Sequence, residues 1–160
     1  MGIKGQTSMI AIVLIIIIFM AIGIFLLISS IKPEYDEYYN LYAHNLLLSV
    51  LRSNTGYGGY CDTISSTLAC AYMTSYRRCG DTDCRNLSAT IVPALVEKVI
   101  KDNLDYCIIV EPENRTIGGE RVTYGEMCDT VIAKTQKWTA NEKILQEGAN
   151  LNIMMVIAEG

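Results

Sequence analysis

The hydropathic pattern changes abruptly along this chain. From Met9 to Ile31 (MIAIVLIIIIFMAIGIFLLISSI) there are 23 residues without a charge, and the only polar side chains are Ser29 and Ser30. At ~1.5 Å of rise per residue, a helix of that length reaches ~34 Å, enough to cross a hydrocarbon core of ~30 Å. A soluble helix carries one apolar stripe and one polar face. This one is apolar on every side, and it is expected to cross a membrane. From Glu34 to about Ser53 the pattern turns amphipathic: Tyr35, Tyr38, Tyr39, Tyr42, Leu46, Val50 and Leu51 recur at spacings of three and four. Ser53-Asn54-Thr55-Gly56 supplies the stop. Pro33 stands between the two halves and predicts a kink or a restart, because it lacks an N–H and disfavours helical geometry at Lys32.

Beyond the stop, Asp62 or Thr63 is expected to cap a short helix in TISSTLACAYMTSY, with Ile64, Leu68 and Tyr72 on one side. Thr90–Leu104 (TIVPALVEKVIKDNL) reads as an amphipathic helix. Ile91, Leu95, Val99 and Ile100 would face inward, with Pro93 near the first turn and Glu97, Lys98, Lys101 and Asp102 outside. The residue types then change to those of strands. Tyr106–Val110 (YCIIV) and Glu120–Tyr124 (ERVTY) predict two antiparallel strands joined by a turn. Leu151–Ala158 (LNIMMVIA) is too short to span a membrane and predicts a buried final strand, paired near Val131–Trp138 or Glu142–Gln146. The expected fold class is α+β: a long N-terminal transmembrane helix continuing into a small disulfide-stapled ectodomain of short helices packed on an antiparallel sheet. The expected domains are a cytoplasmic stub or leader (1–8), the transmembrane helix (9–31) and an extracellular α+β head (32–160).

Charge adds a direction. Lys4 is the only charged side chain ahead of the apolar run, whereas residues 32–160 hold 12 Lys/Arg against 17 Asp/Glu, a net −5. A basic stub before the span and Glu34, Asp36 and Glu37 after it place the N-terminus in the cytoplasm and the head outside. An acidic head also argues against nucleic acid as a partner, since phosphates call for a basic face. All six cysteines, Cys61, Cys70, Cys79, Cys84, Cys107 and Cys128, fall in that head. An even set confined to the exported side reads as a disulfide framework. Cys79 and Cys84 close a tight loop, and Cys107 and Cys128 lie on or beside the paired strands; Cys61–Cys70 is left by subtraction. That last pair needs a broken helix, because nine residues of straight helix separate Cα atoms by ~13 Å. Asn86-Leu-Ser and Asn114-Arg-Thr are glycosylation sequons.

The opening residues refine the picture. Lys4-Gly5 precedes Gln6, Ser8 follows two residues later, and the apolar run begins at once. This arrangement resembles the class III signal peptide of archaeal type IV pilin-like proteins. The resemblance implies a prepilin peptidase cut between Gly5 and Gln6, an apolar helix that waits in the bilayer, and packing of that helix against identical or related pilin subunits in a filament core. The family carries a glutamate where this chain has Ile10. That departure favours a minor pilin, a pseudopilin or an uncleaved membrane anchor over a major filament subunit.

Catalytic patterns are missing from the sequence. There is no glycine-rich phosphate loop, no GxSxG, no HExxH and no CxxC, and His44 is the only histidine. Asp81 and Asp83 resemble a calcium-loop fragment that lacks the required glycine and terminal glutamate. C-x4-C at Cys79 and Cys84 is not the usual zinc spacing, and no second clustered pair accompanies it in the sequence. No cofactor, metal or enzymatic activity is therefore expected. The tyrosines of the 35–42 segment are expected to form an interfacial belt and to pack the head. Two functions remain. One is a structural or assembly subunit of the pilin-like kind, with the lipid bilayer and sister subunits as partners, in the cell membrane or a surface filament. The other is a single-pass anchored extracellular binding module that never polymerises.

Overall fold

The last expected strand is the centre of the sheet. The computed structural model describes residues 3–73, 78–113, 120–146 and 149–160. The order of elements is α1 (Ile3–Arg52), a 3-10 turn (Gly59–Cys61), α2 (Ile64–Met73), β1 (Arg78–Cys79), β2 (Thr82–Asp83), α3 (Cys84–Val99), β3 (Leu104–Pro112), β4 (Val122–Tyr124), α4 (Cys128–Ala133), β5 (Lys137–Gln146) and β6 (Ala149–Glu159). The protein is α+β, with an apolar N-terminal helix, antiparallel sheets and disulfides. The chain divides into two compact units, Met1–Tyr38 and Tyr39–Gly160. The first is the leading part of α1. The second is the head.

In the head, the main sheet runs β4-β3-β6-β5 with every neighbour antiparallel. β6 pairs with β3 from Leu104↔Glu159 to Pro112↔Leu151, and with β5 from Lys137↔Ala158 to Gln146↔Ala149. Side chains alternate across a strand, so Leu151, Ile153, Met155 and Ile157 share one face of β6. They join Ile108 and Val110 of β3, Trp138 of β5, Leu47 and Val50 of α1, Ile64 and Leu68 of α2, and Val92 and Val96 of α3 in one core. The opposite face carries Cys107, Ile109, Val156 and Ala158, and α4 covers it through Cys128 and Val131. β6 therefore reads as a continuous apolar run only where both faces are covered. Asn150 and Asn152 lie on the second face nearer the start of the strand, and both are exposed.

Local chemistry explains several element ends. Thr63 and Ser66 cap α2 reciprocally: Ser66 N–H donates to Thr63 Oγ1 at 3.2 Å and Thr63 N–H to Ser66 Oγ at 2.9 Å. Asp83 caps α3, accepting from the Asn86 N–H at 2.8 Å. Gly125 turns the chain from β4 into α4 at φ +131°, and a Cβ there would sit 2.6 Å from the Tyr106 carbonyl. Only glycine fits.

The structure corrects several expectations. α1 is a single helix with Pro33 inside it, so the expected restart is not there. α3 begins at Cys84 rather than Thr90, which places Pro93 in the helix interior. Its fully buried residues are Cys84, Leu87, Ser88, Val92 and Val96; Ile91, Leu95 and Ile100 pack against the same core as expected, whereas Val99 is exposed. Besides β3, β6 pairs with β5, a strand of ten residues that contains all of Glu142–Gln146 and only the end of Val131–Trp138, because Val131 belongs to α4.

Candidate functional site: an uncovered apolar helix and a buried four-sulfur cluster

Two places in the molecule carry chemistry that packing of the head does not explain. The first is the window Ile12–Ser29 of α1, the one described helix long and apolar enough to cross a membrane. None of that window is buried by the chain itself. Ile16, Phe19, Ile22 and Leu26 are each at least half exposed. Burying one such side chain is worth ~1.5–3 kcal/mol, so a row of them left in water is strongly disfavoured. Ser29 is satisfied internally, its hydroxyl donating to the Phe25 carbonyl at 2.8 Å. Gly23 leaves a notch in this surface, with nothing within 4 Å of where a Cβ would stand. Gly5 and Gln6, the expected processing site, lie within the backbone of α1.

Beyond that window, the tyrosines divide. Tyr35 and Tyr38 are exposed, while Tyr39 is buried and stacks on Trp138 with ring centroids 4.2 Å apart. Lys101 Nζ lies 5.5 Å from the Tyr39 ring centroid and 5.0 Å from that of Tyr42. His44 faces Glu142, Nδ1 to Oε1 at 3.6 Å.

The second place is the cysteine cluster. Cys107–Cys128 is bridged as expected, joining β3 to α4 with Cα atoms 4.8 Å apart. The other two expected pairs, Cys79–Cys84 and Cys61–Cys70, are not those formed. Cys61 is bridged to Cys79 and Cys70 to Cys84, with Cα separations of 5.6 and 5.8 Å. The reason is tertiary: α2 packs on α3 and brings Cys70 to Cys84, while the β1–β2 hairpin delivers Cys79 to the 3-10 turn that ends at Cys61. No helix needs to break. All four Sγ atoms lie within 4.8 Å of one another, and all four residues are buried. Across the two bridges, Cys79 Sγ is 3.4 Å and Cys61 Sγ 3.8 Å from Cys84 Sγ. Leu87 completes this small core, with Tyr57, Ala71 and Ile91 packed around it. The clustered second pair that the sequence did not display is therefore present in the fold.

The remaining polar features are structural or peripheral. Tyr124 O–H donates to Ser88 Oγ at 3.1 Å, and Ser88 Oγ donates to the Arg85 carbonyl at 2.8 Å, tying β4 to α3. Burial raises the Tyr124 pKa, opposed by the Ser88 bond. The Tyr72 hydroxyl sits 2.6 Å from the Val110 carbonyl and accepts from Val122 N–H at 3.1 Å; burial pushes its pKa up to about 12. A cavity of about 370 Å³ lies between Glu97, Lys101, Asp102, Asp105 and Glu126, beside Tyr106. The Tyr106 hydroxyl is buried without a hydrogen-bond partner, and burial, aided by Glu97 and Glu126, pushes its pKa up to about 12. Asp83 serves as a helix cap and Asp81 is exposed in the hairpin turn. Of the two sequons, Asn86 is exposed in the first turn of α3, its amide bonded to Asp83, while Ser88 of the same triplet is fully buried. Asn114 lies outside the described residues.

No protein-family model, curated protein or solved structure matches the chain. The residues and their arrangement are what a functional assignment has to stand on.

Proposed function

We propose that this protein is a membrane-anchored structural or assembly subunit of the archaeal type IV pilin-like kind, a minor pilin or pseudopilin. The carrying observation is the 18-residue window Ile12–Ser29, none of it covered by its own chain, attached to a head with its own complete core. An apolar surface of that length needs lipid, sister helices, or first one and then the other. In the bilayer the lipid tails are as apolar as the helix, so association depends on close packing at small residues. Ala21 and Gly23 are the described small positions in the window. The Lys4-Gly5-Gln6-x-Ser8 opening supports the same reading, with cleavage before Gln6, the N-terminus cytoplasmic before cleavage and the head outside the cell.

Ile10 in place of the family's glutamate favours a second reading, the non-polymerising single-pass anchor with an extracellular binding head. The intact mass of the chain isolated from membranes separates the two. A mature N-terminus at Gln6, together with the protein in sheared surface filaments, is the expected result. Retention of Lys4 and Gly5, with the protein solely as membrane-embedded monomers, supports the plain anchor. A head resistant to protease added to intact cells sinks both.

A further inference from the structure

We propose that Cys61, Cys70, Cys79 and Cys84 form a tetrathiolate site for one soft divalent metal ion of the zinc type whenever the four thiols are reduced. The geometry is the argument. In a tetrahedral site with metal–sulfur bonds of ~2.3 Å, ligand sulfurs are ~3.8 Å apart. Here the unbridged contacts to Cys84 are 3.4 and 3.8 Å, and all four sulfurs lie within 4.8 Å of one another. Opening the two bridges frees each bonded sulfur pair, held on Cα atoms 5.6 and 5.8 Å apart, to spread by rotamer change towards that spacing.

Stapling alone does not call for this convergence. Two disulfides can tie a fold together from separate places, as Cys107–Cys128 does on the far face of the sheet. In the cluster, by contrast, four different elements each deliver one sulfur to a common point: the 3-10 turn, α2, β1 and the first residue of α3. Gly80, at φ +63° in the hairpin between Cys79 and Cys84, makes the tight turn that lets two of them approach. Cys84 stands at an α-helix N-terminus, where the helix dipole favours a thiolate.

The two disulfides first open by taking up four electrons and four protons from a thiol or phosphine reductant, and metal binding by the resulting thiols is then redox-neutral. Four thiols and one divalent ion give one tetrathiolate complex and release four protons. The same sulfurs serve either as two disulfides or as one ligand set, so the redox poise of the compartment selects between them. The site stands independently of the pilin-like reading, which rests on the apolar helix.

Titration of cobalt(II) into the full-length chain, held in detergent and reduced anaerobically with a phosphine, tests the assignment. The expected result is one cobalt per chain, with the sulfur-to-cobalt charge-transfer band and the d–d bands of a tetrahedral thiolate complex, displaced by one equivalent of zinc. Cys84→Ser should weaken binding by ~100-fold or more, since loss of an outer partner alone costs ~10–100-fold. The double variant Cys107→Ser/Cys128→Ser should bind as the parent does. If reduction unfolds the metal-free head, cobalt present during reduction should restore both its sheet signal and the tetrahedral spectrum. No tetrahedral spectrum under either protocol, or an undiminished one in Cys84→Ser, overturns the proposal.

Discussion

Two stretches of this chain are apolar on every side, and they meet opposite fates. In β6, Ile153, Met155, Val156, Ile157 and Ala158 are at most 2% exposed, because β3 and β5 flank the strand and helices cover both faces at that end. In α1, Ile15 to Ile18 are all more than 50% exposed, and Phe19 reaches 72%. The difference is not hydrophobicity. It is whether the chain brings its own cover. β6 is covered by the head around it, and the window Ile12–Ser29 of α1 finds no cover in its own chain. An all-round apolar segment is a statement about the surroundings a segment requires, and the fold decides whether those surroundings are internal.

The comparison breaks most sharply in the span. Ile18→Lys with Met20→Lys places two charges at the centre of the apolar run, at a cost of about 5–7 kcal/mol for membrane insertion. Flotation with membranes should be lost while thermal melting of the head is unchanged. Undiminished flotation would remove the span from the account. The mirror experiment is Met155→Ala in β6, a fully buried side chain whose truncation should cost about 2–5 kcal/mol of head stability, read by urea unfolding in detergent, with flotation intact.

Gly125→Ala comes next. A Cβ 2.6 Å from the Tyr106 carbonyl, at a φ that side chains rarely adopt, should destabilise the head by about 1–3 kcal/mol and slow closure of Cys107–Cys128. Tyr124→Phe removes the hydroxyl that donates to Ser88 and should cost about 1 kcal/mol, leaving the Ser88–Arg85 bond in place. The last effect vanishes at neutral pH. Tyr72 and Tyr106 hold their protons to about pH 12 in the fold, against an ordinary value of 10.0. The unfolded chain loses those protons first, so stability is intact below pH 10 and falls as pH rises towards 12. Unfolding midpoints measured across that interval should drop, and should drop less in Tyr72→Phe relative to its own value at neutral pH.

Much of the architecture was legible because residue pattern and order mark the elements that carry it. The apolar run, a cap of α2 at one of the two expected residues (Thr63), the β3–β4 pairing and the Cys107–Cys128 bridge beside it follow from residue pattern, and the register Ile108↔Tyr124 and Val110↔Val122 bears out the two-strand expectation. β5 was only half seen, although Trp138, Ala140 and Ile144 fall on one face with period two. Its polar residues, Asn141 and Lys143, point away from the core and diluted the signal. α4 was missed because its six residues make too short a stretch for a helical period to show.

The candidate site divides along the same line. An uncharged stretch long enough to cross a bilayer is a property of composition and length, and residues 9–31 show it without any structure. So is the even set of cysteines that marks a stapled head. Which cysteine meets which in the cluster depends on how α2 lies on α3 and where the β1–β2 hairpin points, whereas Cys107 and Cys128 were drawn together by a strand pair that the residue pattern already showed. Composition determined that six sulfurs would be close to something. Only the packing of four separate elements decided that four of them would be close to one another, because convergence on a point belongs to three dimensions.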